Sequence, residues 1–192
     1  MKKILLATNN EHKAREYEEM LAPLGYMVVI PKELKLDFDP EETGATFREN
    51  AYLKAKAFYD FMGIPCIADD SGLVIPSLGG MPGIHTARYA QEHGGYPAVF
   101  SYLNKELGGK DRRAKFHCCI CYYSGGEPLY FEGDCPGYLL EHPVGENGFG
   151  YDPIFHSVEA DIDFGIAPEE IKNRFSHRGK ALAALLAYFK KS

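Results

Sequence analysis

The chain has 192 residues, 45% of them hydrophobic and 25% charged, with a formal net charge of −6. That length supports one sizeable core, or two small lobes sharing one, and the composition is ordinary for a globular protein. An acidic balance argues against broad nucleic-acid binding, and no apolar run approaches a membrane span or a secretory leader, so a cytoplasmic protein with neither nucleic-acid nor membrane partners is expected.

The N-terminal run Ile4-Leu5-Leu6-Ala7 reads as a short buried strand. After "TNNEHK", residues Ala14, Tyr17, Met20 and Leu21 recur at helical spacing, so a helix begins near Glu11 and Lys13 falls in its first turn. A cation there opposes the helix macrodipole by about 0.3–1 kcal/mol. Two explanations stand: Glu11 offsets the charge and Lys13 points into solvent, or a bound anion sits over the helix end.

Tyr26–Ile30 is a second strand, followed by the polar, turn-rich "KELKLDFDPEETGA". Thr46 and Glu49 then form a T-x-x-E capping box, heading a helix that runs to about Met62. Phe47, Ala51, Ala55, Phe58 and Met62 are its apolar stripe, while Asn50 and Lys54, four apart, share another face. Gly63-Ile64-Pro65 stops it. The strand "PCIA" runs into "DDSG", read as a strand end with the polar residues serving a turn, and "LVIPSL" is a further apolar piece. "GGMPGIHTARYA" is a loop through Gly83 and helical beyond, and Phe100–Leu107 reads as a short helix. Lys115–Tyr123 and Leu129–Glu132 flank the turn "GGEP" as a hairpin, and Gly137–Glu141 is another strand. A short helix lies near Pro168–Asn173, with Pro168 in its first turn, and a final helix runs from Ser176 to about Lys190. Helices interleaved with both single strands and hairpins imply an α/β fold on a mixed β-sheet.

Five cysteines, Cys66, Cys118, Cys119, Cys121 and Cys135, contain no C-x-x-C pair. In a strand Cys119 and Cys121 share one face and Cys118 the other, which suits reduced thiols used as small hydrophobes rather than a zinc site.

The final helix repeats the oddity of the first: His177, Arg178 and Lys180 crowd its opening turn. Cations gathered at two helix starts of an acidic protein point to a small, highly charged anion, and a phosphate ester is the natural guess. Asp69 and Asp70, Glu41 and Glu42, and Asp152 could supply carboxylates, which repel phosphate unless Mg²⁺ bridges them. "GENGFG" is neither a dinucleotide fingerprint nor a Walker A loop; Phe149 and Tyr151 could stack on a base, and a core role for Phe149 is equally open. The residues alone thus reach a Mg²⁺-dependent handler of a nucleotide phosphate.

Six segments in order, "TNNEHK", "EETGATFRENAYLKA", "IADDSGL", "LGGMPGIHTARY", "GFGYDPIF" and "KNRFSHRGKA", make the chain resemble the inosine triphosphate pyrophosphatase family from Ala7 to about Leu182. The resemblance implies one domain over residues 1–192, an elongated mixed β-sheet flanked by helices, with two lobes around a central cleft, in a homodimer. It also implies hydrolysis of ITP, dITP or XTP to the nucleoside monophosphate and pyrophosphate, with Mg²⁺ as cofactor. By position, Thr8, Asn9, Asn10, Glu11, His12 and Lys13 would meet the substrate, the phosphates lying on Thr8, Asn10 and Lys13, with Lys54 adding charge. Glu41 and Asp70 would serve the metal, and Asp70 would also activate water. Ser71, Phe149, Gly150, Tyr151, Asp152, Lys172, His177 and Arg178 would meet the nucleoside. Asn9 stands where many relatives have Gly, a position Asn tolerates if φ is positive. Glu146 puts a charge into the glycine-rich loop, and Glu159–Ile166 matches no motif. A different nucleotide pyrophosphatase on the same fold and a non-catalytic nucleotide sensor are the competing readings.

Overall fold

The computed structural model describes residues 2–34, 38 and 40–191. Residues 35–37 and 39 of the turn-rich "KELKLDFDPEETGA" stretch lie outside the described residues. Seven strands form one sheet in the order β2-β1-β3-β4-β5-β6-β7: β1 (Lys2–Leu6), β2 (Tyr26–Val29), β3 (Cys66–Val74), β4 (Arg113–Tyr123), β5 (Leu129–Leu139), β6 (Phe155–Ser157) and β7 (Ile162–Asp163). The first two neighbours of β1 are parallel to it, with Ile4 opposite Val28 and Leu6 opposite Ile67, while β5–β6 and β6–β7 are antiparallel. The sheet is therefore mixed, as the interleaved pattern implied.

Among the described residues six α-helices accompany it: α1 (Glu11–Leu21), α2 (Phe47–Met62), α3 (Thr86–Glu92), α4 (Tyr96–Glu106), α5 (Glu169–Phe175) and α6 (His177–Phe189). Their starts are set locally. Asn10 Oδ1 accepts from the His12 and Lys13 amides, and Thr46 Oγ1 accepts from the Glu49 amide at 3.1 Å. The capping box closes one residue early, because Glu49 Oε2 reaches the Ala45 amide. Ser176 Oγ caps α6 through the Gly179 amide at 3.1 Å. Each such cap contributes about 1 kcal/mol. Among the described residues no helix is long and apolar enough to cross a membrane.

Contacts divide the chain into two compact units. Unit 1 holds residues 1–70, 119–132 and 181–192, and unit 2 holds residues 71–118 and 133–180. In unit 1 the α2 stripe residues Ala51, Ala55 and Phe58 pack with Leu5, Ala7, Cys66, Cys119 and Cys121. The five cysteines are buried, and burial pushes the Cys66, Cys119 and Cys121 thiols up to about 12, so these groups act as small hydrophobes. In unit 2 Leu73, Val99, Leu103, Phe116, Phe155 and Phe164 form the heart of a second cluster.

Several boundaries differ from the sequence reading. "DDSG" ends no strand; it lies inside β3, which runs unbroken for 9 residues. Turn-forming residues stay extended there because buried lysine and asparagine side chains meet the two aspartates. Leu129–Glu132 and the first three residues of the expected Gly137–Glu141 strand are parts of one strand, β5, which ends at Leu139 and carries Pro136 within it. α4 begins at Tyr96 rather than Phe100, with Pro97 in its first turn. Pro168 occupies the cap of α5 instead of its first turn. The unplaced Glu159–Ile166 stretch supplies β7.

Candidate functional site

In unit 1 the expected residues converge on β3. Asp69 is 1% exposed and Asp70 4%. Lys13 lies 3.1 Å from Asp69 Oδ2, so it neither faces solvent freely nor leans on Glu11, whose partner is Lys32. Lys54 donates to the Asp69 carbonyl at 2.6 Å and pairs with Glu42 Oε1 at 2.6 Å. Asp69 therefore orients both lysines, one by its carboxylate and one by its backbone. Asn50, four residues before Lys54 on α2, donates from Nδ2 to Asp70 Oδ2 at 3.1 Å.

Among the described residues the charges do not balance. Three carboxylates, Glu42, Asp69 and Asp70, surround two ammonium groups, Lys13 and Lys54. Desolvation raises the Asp70 pKa to about 6, with Lys54 and Lys13 pulling against it and Glu42 adding to it. Burial works against the Lys54 ammonium, but Asp69, Asp70 and Glu42 outweigh it and hold its pKa above the ordinary lysine value. Among the described residues no group of three or more His, Cys, Asp or Glu side chains could hold a metal ion unaided.

The rest of the "TNNEHK" turn is shaped by its own hydrogen bonds. Thr8 Oγ1 accepts from the Asn10 amide at 3.2 Å, and Asn10 Oδ1 is committed to the cap, leaving its Nδ2 to donate elsewhere. Asn9 is exposed and reaches the Phe38 carbonyl at 3.4 Å; its φ is not positive, since among the described residues Asp161 alone of the non-glycines has that conformation. Glu11 and His12 are exposed, as is Glu41 in the loop before α2.

In unit 2 the residues form a second cluster around the "GFGYDP" turn. Asp152 Oδ2 accepts from the Phe149 amide at 2.8 Å and from Lys172 Nζ at 2.7 Å. Gly148 (φ +74°) makes this possible: a Cβ there would stand 2.2 Å from Asp152 Oδ2. The half-buried Phe149 ring lies beneath two cations, 4.8 Å from Lys172 Nζ and 5.7 Å from the Arg178 guanidinium carbon. Arg178, only 2% exposed, donates to Ser71 Oγ at 3.0 Å. His177 stacks on Phe116 at 4.9 Å. Gly150 follows Phe149 with φ +66°. Tyr151 is a core residue, 2% exposed, with its hydroxyl on the Thr86 carbonyl at 3.0 Å, so Phe149 is the aromatic face left near the cations.

Two residues were named in the sequence only as possible carboxylates, with no role assigned. Asp69 looked like a turn residue, and Glu42 like a loop acid beside Glu41. Only their partners, Lys13 and Lys54, single them out, and those lie 56 and 12 residues away in the chain.

A mixed sheet with lysines against clustered carboxylates in unit 1, and cations over an aromatic ring in unit 2, fits an α/β protein that handles a nucleotide phosphate. The chain belongs to the Ham1 family, whose profile matches residues 4–188. It is 43% identical over 195 residues to the dITP/XTP pyrophosphatase of Treponema denticola, covering 99% of this chain and 100% of that one. The dITP/XTP pyrophosphatase of Geobacillus kaustophilus is 46% identical over 194 residues, covering 96% and 93%. Among solved structures, the Staphylococcus aureus Ham1 protein superposes with a TM-score of 0.87 at 40% identity, covering 99% of each chain. A HAM1 protein from Coxiella burnetii gives 0.89 at 35% identity over the full length of both.

Proposed function

We propose that the protein hydrolyses non-standard purine nucleoside triphosphates (ITP, dITP, XTP) to the monophosphate and pyrophosphate, with Mg²⁺ as cofactor. The observation that carries this reading is the cluster on β3, in which buried Asp70 and Asp69, together with Glu42, set three carboxylates against Lys13 and Lys54. A polyphosphate is repelled by such a cluster unless a divalent cation reverses its sign.

The donor set fits Mg²⁺. Asp70, buried on β3, is a hard carboxylate donor, Glu41, exposed in the loop before α2, would be the second, and Mg²⁺ typically takes one or two carboxylates and completes its shell with water and phosphate. When bound, the ion supplies charge neutralisation on the phosphates.

The chain's own residues do the rest. Lys13 and Lys54 meet phosphate oxygens and stabilise the charge that grows on the leaving pyrophosphate. Asp70 takes the proton from the water that attacks the α-phosphorus. A carboxylate lifted to about 6 is a stronger base than an ordinary aspartate and still ionised at neutral pH. Asn50 holds that carboxylate in one orientation. In unit 2 Phe149 offers a ring face to the base, and Arg178, fixed by Ser71, donates toward a 6-oxo group. Adenine presents an amino donor at that position, a mismatch worth about 1–3 kcal/mol when buried. Guanine shares the 6-oxo group, so its rejection turns on the 2-position. A cytoplasmic setting and a homodimer complete the proposal, on the strength of the family resemblance.

The test offers ITP, dITP, XTP, ATP and GTP with Mg²⁺ and identifies products by chromatography. Pyrophosphate from the first three with little turnover of ATP and GTP is the expected result. Release of single phosphates, or tight binding without product, would overturn it.

A further inference from the structure

Lys54 has two partners of different character. One is the Asp69 carbonyl, part of the buried strand β3; the other is the carboxylate of Glu42, whose side chain is 37% exposed in the loop before α2. Lys13 has Asp69 Oδ2, and the Asp69 side chain is 0% exposed. Of the carboxylates that face the two lysines, Asp69 is held inside the strand, whereas Glu42 can rotate into solvent. Its contact with Lys54 is short, 2.6 Å, and uses an oxygen of the same charge and hydrogen-bonding type as a phosphate oxygen.

We propose that Glu42 is a placeholder for substrate: in the free protein its carboxylate occupies the position on Lys54 that a polyphosphate oxygen takes, and it must swing out before the tail can bind. This rests on the reading of Lys54 as a phosphate ligand. The pair gives the buried ammonium a direct carboxylate contact while the site is empty, in addition to the attraction of Asp69 and Asp70. It also sets a threshold: a ligand with one weak anionic group does not displace Glu42, while a triphosphate, which engages Lys13 as well, does. Glu42 thus acts through Lys54 as a selectivity residue for chain length of the phosphate tail.

The measurement is isothermal titration of the non-hydrolysable α,β-imido-ITP, and separately of IMP, with Mg²⁺ present, into wild type, Glu42→Gln and Glu42→Asp. Gln removes the charge; Asp keeps the charge but is one methylene too short to hold the contact. Both variants should bind the analogue roughly 3–10-fold more tightly, the range of a partly exposed ion pair, and IMP should gain more than the triphosphate analogue. If Glu42→Gln binds more tightly but Glu42→Asp behaves as wild type, only general repulsion is at work and the placeholder role fails. Weaker binding by both variants would make Glu42 a support of the loaded site and also overturn it. Failure of the reading beneath it looks different: Lys54→Met would then bind the analogue as well as wild type does.

Discussion

The cluster on unit 1 and the cluster on unit 2 use similar side chains to opposite ends. Around Asp70 acids outnumber cations, the pKa of one acid is displaced, and a lysine is shared between a fixed carbonyl and a mobile carboxylate. Around Asp152 the one carboxylate is directly paired: Lys172 answers Asp152 at 2.7 Å, the Phe149 amide donates to the same oxygen, and Arg178 rests between Ser71 Oγ and a ring face. Burying charge without balance costs stability, and a protein tolerates it where a ligand completes the site. A balanced buried pair instead fixes shape. On the proposed reading the first cluster does the chemistry and the second the recognition.

Breaking the first cluster should cost turnover and spare the fold. Asp70→Asn is expected to lower kcat by at least 100-fold with an unchanged circular dichroism spectrum, within the range of a lost general base; near-normal rates would remove Asp70 from that role. Breaking the second should cost the fold. Lys172→Met strands the buried Asp152 carboxylate, and urea denaturation should show a loss of about 3–5 kcal/mol. A loss below 1 kcal/mol would mean that the pair is not what shapes the turn.

The same asymmetry appears in pH. The folded pKa of Asp70, about 6, lies above the ordinary aspartate value of 3.8, so the folded protein keeps a proton that the unfolded chain has released. That contribution is complete below pH 4 and is lost as pH rises through 6. In metal-free protein Asp70→Asn should therefore gain on wild type between pH 4 and 8, by about 2–3 kcal/mol. A difference in melting temperature that stays flat across that span would contradict it. A gentler probe sharpens the second cluster: Arg178→Lys keeps the charge but not the planar fork, and the ITP over ATP preference should fall about 10-fold in kcat/KM. Smallest of all, Thr46→Ala should cost about 1 kcal/mol of stability through the α2 cap and leave the ITP over ATP ratio unchanged.

What could be read from the residues follows the range of the forces involved. The Thr46–Glu49 box spans four residues and the α2 stripe five turns, so both were legible, as was Ser176 at the start of α6. The strand through Asp69 and Asp70 was not, because local preference favours a turn there and is overridden by Lys13, Lys54 and Asn50 from other elements. Strand β5 was split for a similar reason: Pro136 reads as a break, yet its carbonyl is used by Val158 and the strand continues. Lys13 was singled out by a charge of the wrong sign at a helix start, but which acid answers it is a tertiary fact. Tyr151 shows the limit in the other direction, a residue of the "GFGYDP" run whose ring belongs to the core.

The imbalance around Asp70 is tested most directly by measuring the affinity of α,β-imido-ITP for the wild-type protein with saturating Mg²⁺ and again after chelation. With three carboxylates against two lysines, removing the cation should weaken binding by at least 100-fold. Equal affinity in the two buffers would contradict the claim that this cluster holds phosphate only once a divalent ion has reversed its sign.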